Sequence, residues 1–302
     1  MTLRQIFIGS AGIRAGWSLA IFAAVVAIEI GIINLVAKAL HAPHFSRAGE
    51  IPPLSILVTE VSFVITIAIP TFVMSRIERR PFLAYGYSGP HKLARFAAGL
   101  ATGFVAIVAL IGILVLSHAI AFDSRALSAG TAIASGLVWA VIFILVGFAE
   151  ESWLRGYVLF TLARGINFFW AAIIVSLLFG FIHSSNPGES PFGLINAGII
   201  SLIFCFSVWL TGSLWWAVGI HAAWDWTQSY FFGVADSGLH MRGYLLATHP
   251  TGNVWLSGGT TGPEASVFVL AILLLITLGL YMVWGRKPAL RDKGSLFAQS
   301  SS

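Results

Sequence analysis

Charge is what this sequence has least of. Only 10% of its 302 residues are Asp, Glu, Lys or Arg, 58% are hydrophobic, and mean hydropathy is +0.89. A soluble domain of this length covers its surface with far more charge and is about 45–50% apolar. A water-soluble globular enzyme is thereby excluded. What fits is a polytopic membrane protein, because lipid tails solvate Leu, Ile, Val and Phe directly.

Cysteine is nearly absent as well. Cys205 stands alone in an apolar run, so neither an intramolecular disulfide nor a Cys-based zinc centre can be built. There is no repeat of fixed period, no separate soluble domain and no inverted repeat of the transporter kind. The net charge of +5 does not make a nucleic-acid face, since the basic residues sit beside apolar spans and read as topology signals.

What is present is a succession of long apolar runs. At about 20 residues per crossing, they predict eight helices near 17–40, 54–75, 93–118, 130–162, 167–184, 192–211, 213–232 and 264–285. The division at Gly212-Ser213 leaves room for a re-entrant pair. The first run is too long for the h-region of a signal peptide and is expected to stay as a helix. With both termini cytoplasmic, only Lys38, Arg47, Arg125 and Arg242 among the 17 Lys and Arg fall outside, as the positive-inside rule requires. The expected organisation is one all-α membrane domain over 1–302 in a cell (plasma) membrane, with a disordered tail at 294–302. Pro263 and Glu264 are expected to open the last helix. Trp215, Trp216, Trp224, Trp226, Tyr230, Phe231 and Phe232 read as an interfacial aromatic belt, those on the face of His221 and Asp225 alternatively as the lining of an apolar cavity.

Ionisable side chains inside spans cost at least about 2.5–3.5 kcal/mol each, so each asks for a partner or a task. Five gather in the second half: Glu150, Glu151, His183, His221 and Asp225. Glu151 and Arg155, four residues apart, can face each other on a helix, while Glu150 is turned about 100° away. Arg155 would hold Glu151 ionised and leave Glu150 free as a general base toward water; a purely structural Glu–Arg pair is the alternative. His221 and Asp225 share a helix face, where Asp225 can orient the imidazole or help hold an oxyanion, or simply form a buried pair. His183 ends the fifth helix, where a lone His is also at home as an interfacial residue. Glu29 and Glu60 lie in the first two spans, as packing groups or part of a lateral gate, and Pro70 predicts a kink.

Glu150-Glu151 with Arg155, Phe179 with His183, and His221 with Asp225 follow the order Glu-Glu-x-x-x-Arg, Phe-x-x-x-His and His-x-x-x-Asn/Asp. In this the chain resembles the CAAX protease and bacteriocin-processing (CPBP, or Abi) family of intramembrane proteases, over about residues 140–232. The resemblance implies hydrolysis of a peptide bond in a membrane-associated or lipidated, CAAX-type peptide. It implies that Glu150 and His183 activate the water, that His221 and Asp225 hold the oxyanion, and that Glu151 and Arg155 support them. Asp225 departs from the Asn of eukaryotic-type prenyl-protein proteases, and an ionised Asp cannot donate to an oxyanion. Asp225 is then either protonated or only orients His221. His-Glu-x-x-His is missing, so zinc on Glu150, His183 and His221 and a metal-free glutamate site both stay open. A non-catalytic immunity or scaffold member and a proton-coupled transporter are the rival readings.

Overall fold

A computed structural model describes residues 6–9, 12–41, 49–125, 127–286 and 288–290. The tail at 294–302 lies outside them, as do Arg4, Arg47, Lys287, Arg291 and Lys293 of the topology argument. The helices are α1 (Ala15–Ala39), α2 (Pro53–Glu78), α3 (Lys92–Leu116), α4 (Ala129–Ser152), α5 (Leu159–Gly165), α6 (Phe168–His183), α7 (Pro191–Thr211), α8 (Trp215–Asp225) and α9 (Val269–Trp284). One π-helical turn, Trp153–Val158, joins α4 to α5, and a second, Trp226–Phe231, extends α8.

Each predicted run has a helical counterpart, but not all are of membrane-crossing length. By length and apolar character α1, α2, α3, the continuous stretch from Gly130 through α5 to Gly165, and α7 are long enough to cross a membrane. α6 and α9 have 16 residues each, about 24 Å against a hydrocarbon core of about 30 Å. Five crossings are what length and hydropathy carry; eight is a count of runs. With these helices the protein is an integral membrane protein whose surroundings are the lipid bilayer.

Local chemistry sets the helix ends. Pro191 occupies the first turn of α7, and Ser190 Oγ caps it by accepting from Gly193 N. Asn167 caps α6 in the same way through Trp170 N. Gly212, at φ 66°, closes α7 in the left-handed region, and α8 begins three residues on. α9 begins at Val269 rather than at Pro263, because Pro263–Ala265 forms a separate 3-10 turn.

α8 is held between α3 and α4 by glycines. A Cβ on Gly99 would collide with the Trp216 carbonyl, one on Gly103 with the Ile220 carbonyl, one on Gly219 with the Phe96 carbonyl, and one on Gly147 with the Val218 carbonyl. Small residues let helix backbones meet this closely. His221 and Asp225 thus ride on the most tightly clasped helix of the bundle.

The expected aromatic belt is instead interior. Trp216, Trp224 and Tyr230 are buried, because α8 is enclosed by protein on nearly every side and offers no face to an interface. A polar knot lies away from these rings. Glu78, at the end of α2, accepts from Ser18 Oγ at 2.6 Å, Tyr157 Oη at 3.0 Å and Arg164 Nη2 at 2.9 Å. It ties α1, α2 and α5 together.

Candidate active site

The first motif sits where an α-helix turns into a π turn. Glu150 and Glu151 end α4, and Arg155 lies in the π turn, beside Gly156, whose ψ of −119° breaks the helical path. Such π-bulges are frequent at functional sites. Glu151 and Arg155 are fully buried, and Arg155 Nη1 donates to Glu151 Oε1 at 2.6 Å. Arg155 Nη2 donates to Ser201 Oγ on α7, which in turn donates to Ser176 Oγ on α6. The guanidinium lies 4.4 Å over the Phe179 ring and 5.2 Å from that of Phe204. One side chain therefore fixes α4, α6 and α7 against each other.

Phe179 has a second task, which accounts for the spacing of Phe-x-x-x-His. Its carbonyl accepts from His183 Nδ1 at 2.8 Å. A carbonyl only accepts, so Nδ1 carries the proton and Nε2 of the neutral ring is left with a lone pair.

His221 faces carboxylates from both nitrogens. Its Nδ1 lies 2.9 Å from Glu151 Oε1, while Nε2 lies 3.7 Å from Glu150 Oε2 and 3.6 Å from Asp225 Oδ2. The group that orients the imidazole is Glu151, where the helix-face argument had pointed to Asp225. The two longer distances exceed a direct hydrogen bond.

Glu150, His183, His221 and Asp225 line one cavity of about 430 Å³. Glu151 and Arg155 are behind its wall. Glu60 of α2 lines it too, whereas Glu29 of α1 lies apart with both carboxylate oxygens buried and unpartnered among the described residues.

Three further polar residues of the cavity were not expected there from the sequence. Glu264, read as a helix cap, has its carboxylate turned inward: Oε1 accepts from Trp224 Nε1 at 2.9 Å and Oε2 from Ser237 N and Oγ. Asp236, buried in the loop after α8, accepts from Ser229 Oγ at 2.8 Å. Burial and the neighbouring Glu264 carboxylate push Asp236 up to about 8. Asn196 of α7 donates from Nδ2 to the Glu264 carbonyl at 2.7 Å. Only the isolated Glu in a Gly-rich stretch could have drawn attention to Glu264.

Among the described residues no three His, Cys, Asp or Glu side chains are arranged to hold a metal ion. Glu150, His183 and His221 therefore do not fit a three-ligand zinc centre in this arrangement, and the chemistry below passes through none.

No curated protein and no solved structure matches the chain. Residues 132–227, which contain all three motifs through Asp225, match the family described as Rce1-like, Type II CAAX prenyl endopeptidase Rce1-like, and so bear out the resemblance to the CPBP family of intramembrane proteases.

Proposed function

We propose that this protein is an intramembrane endopeptidase that hydrolyses a peptide bond of a membrane-associated or lipidated, CAAX-type peptide, with Glu150 as the base. The observation that carries this reading is the position of Glu150: about 25% exposed on the cavity wall, beside His221 but not bonded to it, while Glu151 is fully buried with its Oε1 taken by both Arg155 and His221. Of the two adjacent carboxylates, one is committed to architecture and the other faces the space where a water would sit.

In the proposed step Glu150 takes a proton from water, assisted by the free Nε2 of His183. The hydroxide oxygen attacks the scissile carbonyl carbon, and the carbonyl electron pair moves onto oxygen. His221, in its imidazolium form, donates from Nδ1 to Glu151 and from Nε2 to that oxyanion; a protonated Asp225 would add a second donor. Collapse expels the amine, which leaves with the proton held by Glu150. General-base assistance of this kind supplies about 10²–10⁴ in rate.

We further assign both termini to the cytoplasmic side of a cell membrane, on the asymmetry of Lys and Arg. The test is incubation of the purified chain in lipid vesicles with membrane peptides, prenylated and unprenylated, and identification of products by mass. Discrete internal cleavage that is lost in both Glu150→Ala and His183→Ala supports the proposal. Absence of cleavage of every peptide counts against it and favours a scaffold or transport role.

A further inference from the structure

The cavity is lopsided in charge. Five carboxylates line it, those of Glu60, Glu150, Asp225, Asp236 and Glu264, yet among the described residues no Lys or Arg does. The two His rings are the only basic groups on its wall, and Nδ1 of each is already taken, by the Phe179 carbonyl and by Glu151. Arg155, the guanidinium nearby in sequence, is engaged by Glu151 and Ser201 behind the wall.

Two of these carboxylates, Asp236 and Glu264, are held in place by neighbouring donors. Glu264 is pinned by Trp224 and Ser237, so its charge cannot swing away. Asp236 is held by Ser229 on the loop next to it. Asn196 is 3% exposed, lines the same cavity, and has its Nδ2 fixed on the Glu264 carbonyl; its Oδ1 has no hydrogen-bond partner among the described residues. An unpartnered buried amide oxygen costs about 1–3 kcal/mol, so its retention in a cavity lined by carboxylates asks for a donor. No such donor is found among the described residues.

We propose that Asp236, Glu264 and Asn196 form a subsite for a cationic side chain, Lys or Arg, of the peptide substrate. The proposal rests on the protease reading and narrows its substrate class. An ammonium or guanidinium brings several N–H donors and a positive charge, which is what this wall lacks. Burial and, after it, the neighbouring Glu264 carboxylate hold the acid form of Asp236 up to about 8, and a cation relieves the Glu264 part. A divalent ion fits less well, because no three acidic or His side chains here are arranged for coordination.

Binding can be read without turnover. In the full-length Glu150→Ala chain, reconstituted in lipid nanodiscs, the Kd is measured for synthetic membrane peptides carrying one lysine at successive positions around the expected cleavage point, each paired with its acetyl-lysine twin. At one position the lysine peptide is expected to bind about tenfold tighter or more, the equivalent of a charge-assisted hydrogen bond. Adding Asp236→Asn should bring that preference to within about twofold; where that variant does not fold, Glu264→Gln carries the same expectation. Equal affinity of every pair, or a preference undiminished in the variants, overturns the subsite. A lysine preference that depends on Asp236, in a protein whose wild type cleaves nothing, would leave the subsite standing and remove the protease reading.

Discussion

Glu151 Oε1 lies 2.9 Å from His221 Nδ1, and the same oxygen takes Arg155 Nη1 at 2.6 Å. One buried carboxylate oxygen thus aligns the imidazole on α8 with the guanidinium that binds α4 to α6 and α7. Adjacent glutamates divide the work: Glu151 fixes the frame and Glu150 faces the cavity.

Breaking that frame should be costly. Glu151→Gln removes the charge that compensates a fully buried Arg155, and removing one partner of such a pair typically costs about 3–5 kcal/mol. The expected outcome is a large fall in melting temperature in detergent, with loss of any cleavage. Arg155→Lys should lose stability too, since an ammonium cannot hold Glu151, Ser201 and the Phe179 face at once. A melting temperature unchanged in both variants would contradict the role given to the pair.

The glycine clasp on α8 makes a second prediction. A methyl on Gly219 meets the Phe96 carbonyl, so Gly219→Ala must push α3 from α8. Such overpacking costs about 1–3 kcal/mol. Gly279→Ala, where a Cβ meets nothing within 4 Å, should be close to neutral and serves as the control. Comparable melting of the two variants would argue against a tight α3–α8 contact.

Asp236 predicts a pH dependence of stability. Its acid is raised from 3.8 to about 8 by burial and by Glu264, so between those values the folded state binds more protons than the unfolded state. Stability then falls as pH rises from about 4 toward 8. Asp236→Asn removes this contribution and should flatten the slope in that window, read as melting temperature against pH. An identical slope in the variant would show that Asp236 titrates normally.

Chelation separates the two mechanisms the motifs leave open. Because the described side chains form no three-ligand site, cleavage should survive exhaustive dialysis against a chelator. Loss of activity restored by zinc would mean that Glu150, His183 and His221 gather around an ion.

The catalytic candidates were legible because each is an ionisable residue in an apolar run, where lipid makes it expensive and therefore conspicuous. The Glu151 partner of His221 was not, since a helix-face argument sees only neighbours along one helix and His221 pairs across two; nor was the Phe179 carbonyl behind His183, since a backbone acceptor leaves no mark in the side-chain pattern. Glu264, Asp236 and Asn196 were hidden for another reason. They lie in loops or beside Gly-rich turns, or pass for an ordinary amide, where polar residues need no explanation. Glu78 was lost among Arg76, Arg79 and Arg80, read as a topology signal, although its carboxylate gathers Ser18, Tyr157 and Arg164. Both π turns adjoin motif residues, and no periodicity argument would have placed them.

The most direct test is the cleavage rate of a single membrane peptide by the purified wild type, Glu150→Gln and Asn253→Ala, each with a matching melting curve. Asn253 caps a short loop helix away from the cavity. Glu150→Gln should melt as the wild type does, since Glu150 is partly exposed and outside the buried pair, while its rate drops by about 10²–10⁴; Asn253→Ala should keep the wild-type rate. A folded Glu150→Gln protein that cleaves at the wild-type rate would contradict the account.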